Sequence, residues 1–72
     1  MFTMIIFEHN DDNSKFINNI VTTSDIETVR DYVMFAFECN HTMQIDTTSA
    51  GVKQLSDDMF TNERVAIHNI DE

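Results

Sequence analysis

The stretch SDIETVRDYVMFAFECN, residues 24–40, decides the fold, because it predicts one helix long enough to cover a β-sheet. At about 100° per residue, one side of this helix is apolar and is predicted to be buried. Its residues are Ile26, Val29, Val33, Ala36 and Phe37, with Tyr32 at the edge. Ser24 and Glu27 have the spacing of a capping box, in which each side chain bonds the backbone N–H of the other residue. We therefore predict a helix from Asp25 to Cys39 or Asn40, since Asn can end a helix.

The segments on either side of this helix predict β-strands. Runs of β-branched and aromatic residues, or strict alternation of apolar and polar residues, predict strands at 2–9, 15–21, 42–47 and 64–70. The first run is apolar on both faces, which predicts a central strand that is buried on both sides. Residues 10–14 are turn formers, so the first two strands are predicted to form an antiparallel hairpin.

A second, shorter helix is predicted between the last two strands. Val52, Leu55, Met59 and Phe60 recur at helical intervals, and Ser49 is the predicted N-cap. The predicted order is therefore ββαβαβ. It indicates a small α+β protein, a single two-layer domain over residues 1–72, with a mainly antiparallel sheet packed against one long and one short helix.

The charge composition predicts the class of partner. The chain has 13 acidic residues against 4 Lys and Arg, for a formal net charge of −9, and no run of acids is longer than two. Dispersed acids between apolar segments are typical of a folded domain with a negative surface rather than of a disordered tail. Such a surface repels nucleic acid and anionic membranes and attracts basic protein surfaces. We therefore expect a basic protein partner, no direct binding of nucleic acid and no membrane binding.

Cysteine usage and the first residues predict the compartment. Cys39 is the single cysteine and cannot form an internal disulfide, which favours a reducing environment. The apolar opening residues lack a basic segment before them and end at Glu8, too early for a signal sequence or a membrane span. We expect a soluble cytoplasmic protein, located in the host cytoplasm if a phage encodes it.

The side of the long helix that faces away from the core carries the predicted partner-binding residues. Glu27, Asp31 and Glu38 project together, about 6 Å and 10 Å apart along the helix axis, and resemble the phosphates of a nucleic-acid strand in sign and approximate spacing. A charged stripe is usually an ordinary solvated surface, but such surfaces mix both signs, and Arg30 is the one cation of this helix. The stripe is therefore predicted to bind a partner.

Phe35 extends this prediction to an apolar contact. It projects opposite Ile26, beside Cys39, and Met34 lies near the acidic side. An exposed Phe in a small domain indicates an interface unless a loop covers it, and residues 10–14 are one such cover. Phe35, Tyr32 and Cys39 are the predicted centre of a face for a partner or for self-association.

No catalytic or cofactor chemistry is predicted. His9, His41 and His68 match no known metal-ligand spacing, and the acidic surroundings of Cys39 oppose a nucleophilic thiolate. The adjacent acids Asp11-Asp12 and Asp57-Asp58 are typical of turns and caps rather than of an acid/base pair. We predict no enzyme activity, no metal and no cofactor.

Two functional hypotheses follow. The first is a small acidic inhibitory binding protein, of the kind that phages and mobile elements use against host defence or host machinery, in which carboxylates mimic DNA and block a basic nucleic-acid-binding surface. The second is a non-enzymatic regulatory or structural module that forms homo-oligomers such as a homodimer, with acidity serving solubility. Salt-sensitive affinity for a basic DNA-binding protein separates the two, because the second hypothesis predicts none.

Overall fold

The computed structural model describes residues 1–71 and has the predicted order of elements. The elements are β1 (Phe2–His9), β2 (Lys15–Thr23), α1 (Ile26–Glu38), β3 (Thr42–Thr47), α2 (Ser49–Gln54) and β4 (Val65–Asn69). The bounds of β1 and β3 are those predicted, while β2 is two residues longer at its C-terminal end and β4 begins one residue later and ends one residue earlier. The α+β class is confirmed.

The four strands form one mixed sheet in the order β2-β1-β3-β4. β1 pairs antiparallel with both β2 and β3, and β4 pairs parallel with β3. The parallel pairing requires a crossover connection, which α2 and the segment after it provide. The predicted central position of β1 and the mainly antiparallel character of the sheet are both confirmed.

A short turn and a bulge fix the register of the β1–β2 hairpin. Asp12 accepts hydrogen bonds from the Ser14 backbone N–H at 3.0 Å and from the Ser14 hydroxyl at 2.6 Å, and these bonds hold the pKa of Asp12 below its usual value. Further along, Ile6 pairs with Asn19 but Phe7 pairs with Ile17, so β2 has one extra residue at this point. The bulge explains how β2 accommodates consecutive asparagines.

The long helix begins one residue later than the capping-box prediction implies. Asp25 is the N-cap, and its carboxylate accepts from the Glu27 N–H at 3.2 Å and from the Thr28 hydroxyl at 2.9 Å. The predicted pair of Ser24 and Glu27 does not form the cap, because the Thr23 hydroxyl oxygen accepts from the Asp25 N–H and leaves the Asp25 side chain to cap the helix. At the other end the last helical residue is Glu38, one residue before the predicted Cys39, which is the C-cap.

The short helix differs more from its prediction. It ends at Gln54, so Met59 and Phe60 lie in the following turns rather than on a continuous amphipathic helix, and its N-cap is Thr48 rather than Ser49. Gly51 is the buried residue of this helix. A Cβ built at this residue would lie 2.0 Å from the Thr47 hydroxyl oxygen, so the close approach of α2 to β3 requires glycine.

One hydrophobic core lies between the sheet and the two helices. Alternate residues of the strands and the inner side of α1 meet there, joined by residues of the α2–β4 segment. The fully buried apolar residues include Phe2, Met4, Ile6, Val29, Val33, Ile45, Leu55 and Phe60. The predicted core side of α1 is confirmed, since Val29, Val33 and Ala36 are buried while Ile26, Tyr32 and Phe37 pack at its margin.

The opposite side of the sheet has no covering layer within residues 1–71. Thr3, Ile5 and Phe7 of β1 are only half-buried, so the prediction that β1 is buried on both sides is wrong. The prediction from the apolar pattern was wrong because it assumed a helix on each face of the sheet, whereas both helices pack on the same face. We call the uncovered side the open sheet face.

Candidate partner-binding surface on the long helix

The outer side of α1 presents three carboxylates and one thioether to solvent. Glu27, Asp31, Met34 and Glu38 are all exposed, and at about 100° per residue they project within about 60° of one another. We call these four residues the outer stripe. It extends about 16 Å along the helix, since its ends are eleven residues apart at roughly 1.5 Å per residue.

The buried side of α1 fixes the direction of the outer stripe. Val29, Val33 and Ala36 pack into the core, which leaves the opposite side of the helix toward solvent. The Asp25 cap and the left-handed Asn40, with φ of 58°, define the two ends. A helix held at both ends and along one side presents its outer residues at fixed positions.

The one cation of α1 points away from most of the outer stripe. The Arg30 guanidinium lies 3.2 Å from an oxygen of Asp57 and 3.9 Å from one of Glu27, and it covers the ring of buried Phe60 at 5.5 Å. Arg30 therefore joins the helix to the α2–β4 segment. Within residues 1–71, neither Asp31 nor Glu38 takes part in an ion pair.

Apolar side chains lie next to these free carboxylates. Met34 is 52% exposed and Phe35 is 49% exposed, and both lie on the two turns between Asp31 and Glu38. Asp31, Tyr32 and Phe35 together line a shallow depression of about 310 Å³. Aromatic residues and Met are enriched at protein interfaces, so these exposed apolar side chains are consistent with one.

Of the seven residues predicted to bind a partner, five are exposed on α1, Tyr32 lies at the margin of the core, and Cys39 is the exposed C-cap. Asp31, Tyr32 and Phe35 are brought together in one depression, whereas Glu27 and Glu38 lie at opposite ends of the outer stripe. Tyr32 is half-buried against the core, so only part of its ring is available to a partner. The binding role of these residues is still a prediction.

The buried His41 packs against Phe35. Sequence reasoning missed this contact. The His41 ring meets the Phe35 ring edge-on, with centroids 6.4 Å apart, and its Nε2 lies 3.5 Å from a carboxylate oxygen of Glu8. Its Nδ1 is buried without a hydrogen-bond partner among the described residues. The left-handed turn at Asn40 directs the chain under the helix, where the His41 N–H donates to the Ala36 carbonyl at 2.8 Å. The sequence does contain one signal for the position of His41, which is the Asn that ends the helix directly before it.

The three histidines lie in separate places. His9 bonds the Thr42 hydroxyl, His41 faces Glu8, and His68 lies 3.4 Å from Asp46. Over residues 1–71, no group of three or more His, Cys, Asp or Glu side chains is arranged to hold a metal ion.

In the described part of the chain, no helix has both the length and the apolar character that crossing a membrane requires.

Comparison of the chain with protein-family models, with curated proteins and with solved structures finds no match. Any functional conclusion therefore depends on the surfaces described above.

Proposed function

We propose that this protein is a small inhibitory binding protein that occupies a basic, nucleic-acid-binding surface of a larger protein through the outer side of α1. The observation that carries the proposal is the outer stripe, in which three exposed carboxylates surround the exposed Met34 and lie beside the half-exposed Phe35. Carboxylates attract and orient a basic surface, while apolar anchors supply the short-range contact.

The charge arrangement favours a protein target over nucleic acid. The net charge of −9 and the pairing of Arg30 with Asp57 and Glu27 leave α1 without a free cation to contact phosphate. A basic groove that normally holds a phosphate backbone has the opposite charge and gains from repeated carboxylates on a rigid helix. The target class is therefore a nucleic-acid-binding enzyme or complex, as in anti-defence or host-takeover inhibition by DNA mimicry.

The experiment that tests the proposal neutralises the outer stripe. The triple variant Glu27→Gln, Asp31→Asn and Glu38→Gln retains side-chain shape and changes the net charge from −9 to −6, since three acids are removed. The Glu27 side chain has no capping role, so the substitution leaves the Asp25 cap intact. Binding is to be measured by stopped-flow or surface plasmon resonance, with a target captured from bacterial lysate, eluted by duplex DNA and then purified.

The expected result is a slower association rate and a flatter salt dependence, because long-range attraction is lost while the apolar contacts remain. A matched control removes three exposed acids elsewhere, with Asp11→Asn, Asp58→Asn and Glu63→Gln, and also has a net charge of −6. If the two variants bind equally well, the position of the carboxylates is irrelevant. Association as fast as wild type at low salt would contradict the proposal.

The alternative proposal, a regulatory module that forms homo-oligomers through Phe35, Tyr32 and Cys39, makes a different prediction for this experiment. Self-association of a chain with net charge −9 is opposed by repulsion, so neutralising acids on the contact face would strengthen it. The triple variant would then form more oligomer than both wild type and the matched control variant, which has the same net charge.

A further inference from the structure

We infer that the open sheet face is a self-association surface, on which a second copy of this chain packs face to face to form a weak symmetric dimer. This surface is on the opposite side of the molecule from the outer stripe. The inference does not depend on the proposed function.

Apolar side chains form a patch across β1 and β2. Strand register places Ile5 opposite Ile20 and Phe7 opposite Ile17, and each pair points to the uncovered side of the sheet. Ile17 and Ile20 are 53% and 55% exposed, although both are paired with residues of β1. Two adjacent cross-strand pairs of this kind normally form part of a core or an interface.

The charge of this face favours a second copy over a basic partner. No acid lies between Asp12 and Asp25, so all of β2 is free of acids, and its one charged residue is Lys15. Among the described strand residues of the open sheet face, the one acid is Asp46, which accepts a hydrogen bond from Gln44 at 2.8 Å and faces His68. A basic protein would gain little attraction here.

The same distribution makes this face the least repulsive place for two copies to meet. Two chains bring together a formal charge of −18, twice −9, and acids elsewhere on the surface oppose contact. Acids occupy the outer stripe, the β1–β2 turn and the α2–β4 segment, where Asp57, Asp58 and Glu63 are exposed. Contact through the open sheet face keeps most of these groups apart.

Both edge strands of the sheet have features that oppose the addition of a further strand. The open sheet face is therefore the surface left for self-association. β2 has a bulge, and the Asn19 side chain accepts a hydrogen bond from the Ile20 N–H at 2.9 Å. β4, at the other edge, has only five residues. Bulges and short edge strands are common devices that prevent edge-to-edge pairing.

The size of the face predicts a weak dimer. Four strands at about 4.8 Å spacing, each averaging about 23 Å in length, give roughly 450 Å² per copy and roughly 900 Å² in total. Specific interfaces usually bury about 1,200–2,000 Å², so this one belongs with weak and reversible contacts. A twofold arrangement uses the same patch on both copies and forms a closed pair.

The inference is tested by sedimentation velocity of the purified full chain over a concentration series up to about 1 mM, the range of weak association. The expected result is a monomer–dimer equilibrium that strengthens several-fold when salt is raised, because repulsion between the acidic copies is screened. Binding to a basic target responds to salt in the opposite direction, so failure of one proposal is distinguishable from failure of the other.

Two double variants locate the contact. Ile17→Thr with Ile20→Thr retains β-branched residues in the strand and should weaken the dimer at least about tenfold while leaving target binding unchanged. Met34→Gln with Phe35→Gln removes two half-exposed apolar side chains from α1 and should leave the dimer unchanged. If this second variant instead abolishes the dimer, or if wild type stays monomeric at high salt, the inference is overturned.

A measurement on the wild-type chain tests the same contact without depending on the folding of the variants. In methyl NMR spectra, the Ile5, Ile17 and Ile20 signals should shift with protein concentration, while the signal of the core residue Ile45 should not. Concentration-dependent shifts confined to Met34 would place the contact on α1 and contradict the inference.

Discussion

The outer stripe of α1 and the open sheet face are both exposed and both carry apolar side chains, but they differ in charge. On α1, Met34 is surrounded by three carboxylates, whereas Ile17 and Ile20 lie on a strand without acids. The acids of this chain are dispersed in sequence yet unevenly distributed in space, because the fold places the acid-free strand on one side. Net charge therefore describes the outer stripe but not the open sheet face.

The two surfaces also differ in what supports them. The outer stripe lies on a helix whose inner side is anchored in the core, and Phe35 rests on the buried His41. The apolar pairs of the open sheet face depend on the register of one hairpin, which the bulge in β2 sets. The first surface is therefore sensitive to the packing of α1, and the second to the β1–β2 turn.

The largest expected effect comes from Gly51→Ala, which destabilises the fold on which both surfaces depend. The new Cβ would lie 2.0 Å from the Thr47 hydroxyl, and Thr47 is fully buried and donates to the Met1 carbonyl at 2.7 Å. We expect a loss of about 2–3 kcal/mol in the free energy of unfolding, the upper part of the roughly 1–3 kcal/mol that is usual for overpacking, because the clash is with a buried side chain. Urea denaturation measures it.

The neighbouring substitution Ala50→Gly is the control for Gly51→Ala. Ala50 is exposed on the same helix, so this change costs about 1 kcal/mol through helix propensity alone. A Gly51→Ala protein as stable as wild type would show that α2 can move away from β3 at no cost.

A smaller effect, on binding rather than folding, is expected from Phe35→Ala. The ring is half-exposed, so the free energy of unfolding should fall by about 1 kcal/mol or less. Affinity for the basic target should fall by about 2 kcal/mol, or roughly thirtyfold in Kd. Calorimetric titration against the purified target measures this loss.

Ile20→Ala is the matched control on the other surface and should leave target affinity unchanged. A Phe35→Ala protein that loses several kcal/mol of stability would show that Phe35 belongs to the core, and the distinction between the two surfaces would then be wrong in part.

The smallest effect is expected from Asp12→Asn, which tests the turn that sets the open sheet face. Because the folded-state pKa of Asp12 is lowered, its carboxylate stabilises the fold above the unfolded pKa, and this contribution is lost as pH falls through the lowered folded value. The stability difference between wild type and Asp12→Asn should therefore be present at neutral pH and shrink in acid.

Asp11→Asn removes the same charge from the same turn, and no described hydrogen bond involves the Asp11 side chain. Comparing thermal unfolding of the two variants from pH 7 to about pH 3 separates the hydrogen bonds of Asp12 from general charge relief. Identical pH profiles for both variants would contradict the role given to Asp12.

Sequence patterns predicted the elements well where apolar residues recur at a single regular interval. Alternation gave the bounds of β3, and helical spacing gave the core side of α1, since each pattern depends on the residues of one element. The N-cap was misplaced because Ser24 and Asp25 are both good caps. The side chain of Thr23, which bonds the Asp25 N–H, decides between them.

The open sheet face could not be predicted because it depends on pairing between elements. The sequence shows that Ile17 and Ile20 are apolar, but not that a bulge brings both to the same side as Phe7 and Ile5. The placement of both helices on one side of the sheet is likewise a tertiary outcome. The outer stripe of α1, by contrast, follows from the spacing of residues within one helix.

The β1–β2 hairpin has a consequence for the order of folding. Its strands are neighbours in the chain, so it closes with a small entropic cost, whereas β3 pairs across the intervening α1 and β4 pairs through a parallel crossover. We therefore expect the hairpin to form first. Until α1 docks, the hairpin exposes apolar residues on both faces, a state that is prone to aggregate. Glu8, Asp11 and Asp12 lie at its closed end, where charge discourages intermolecular pairing of nascent strands. We therefore expect these acids to protect the unfinished chain, a task separate from any contact that the finished molecule makes.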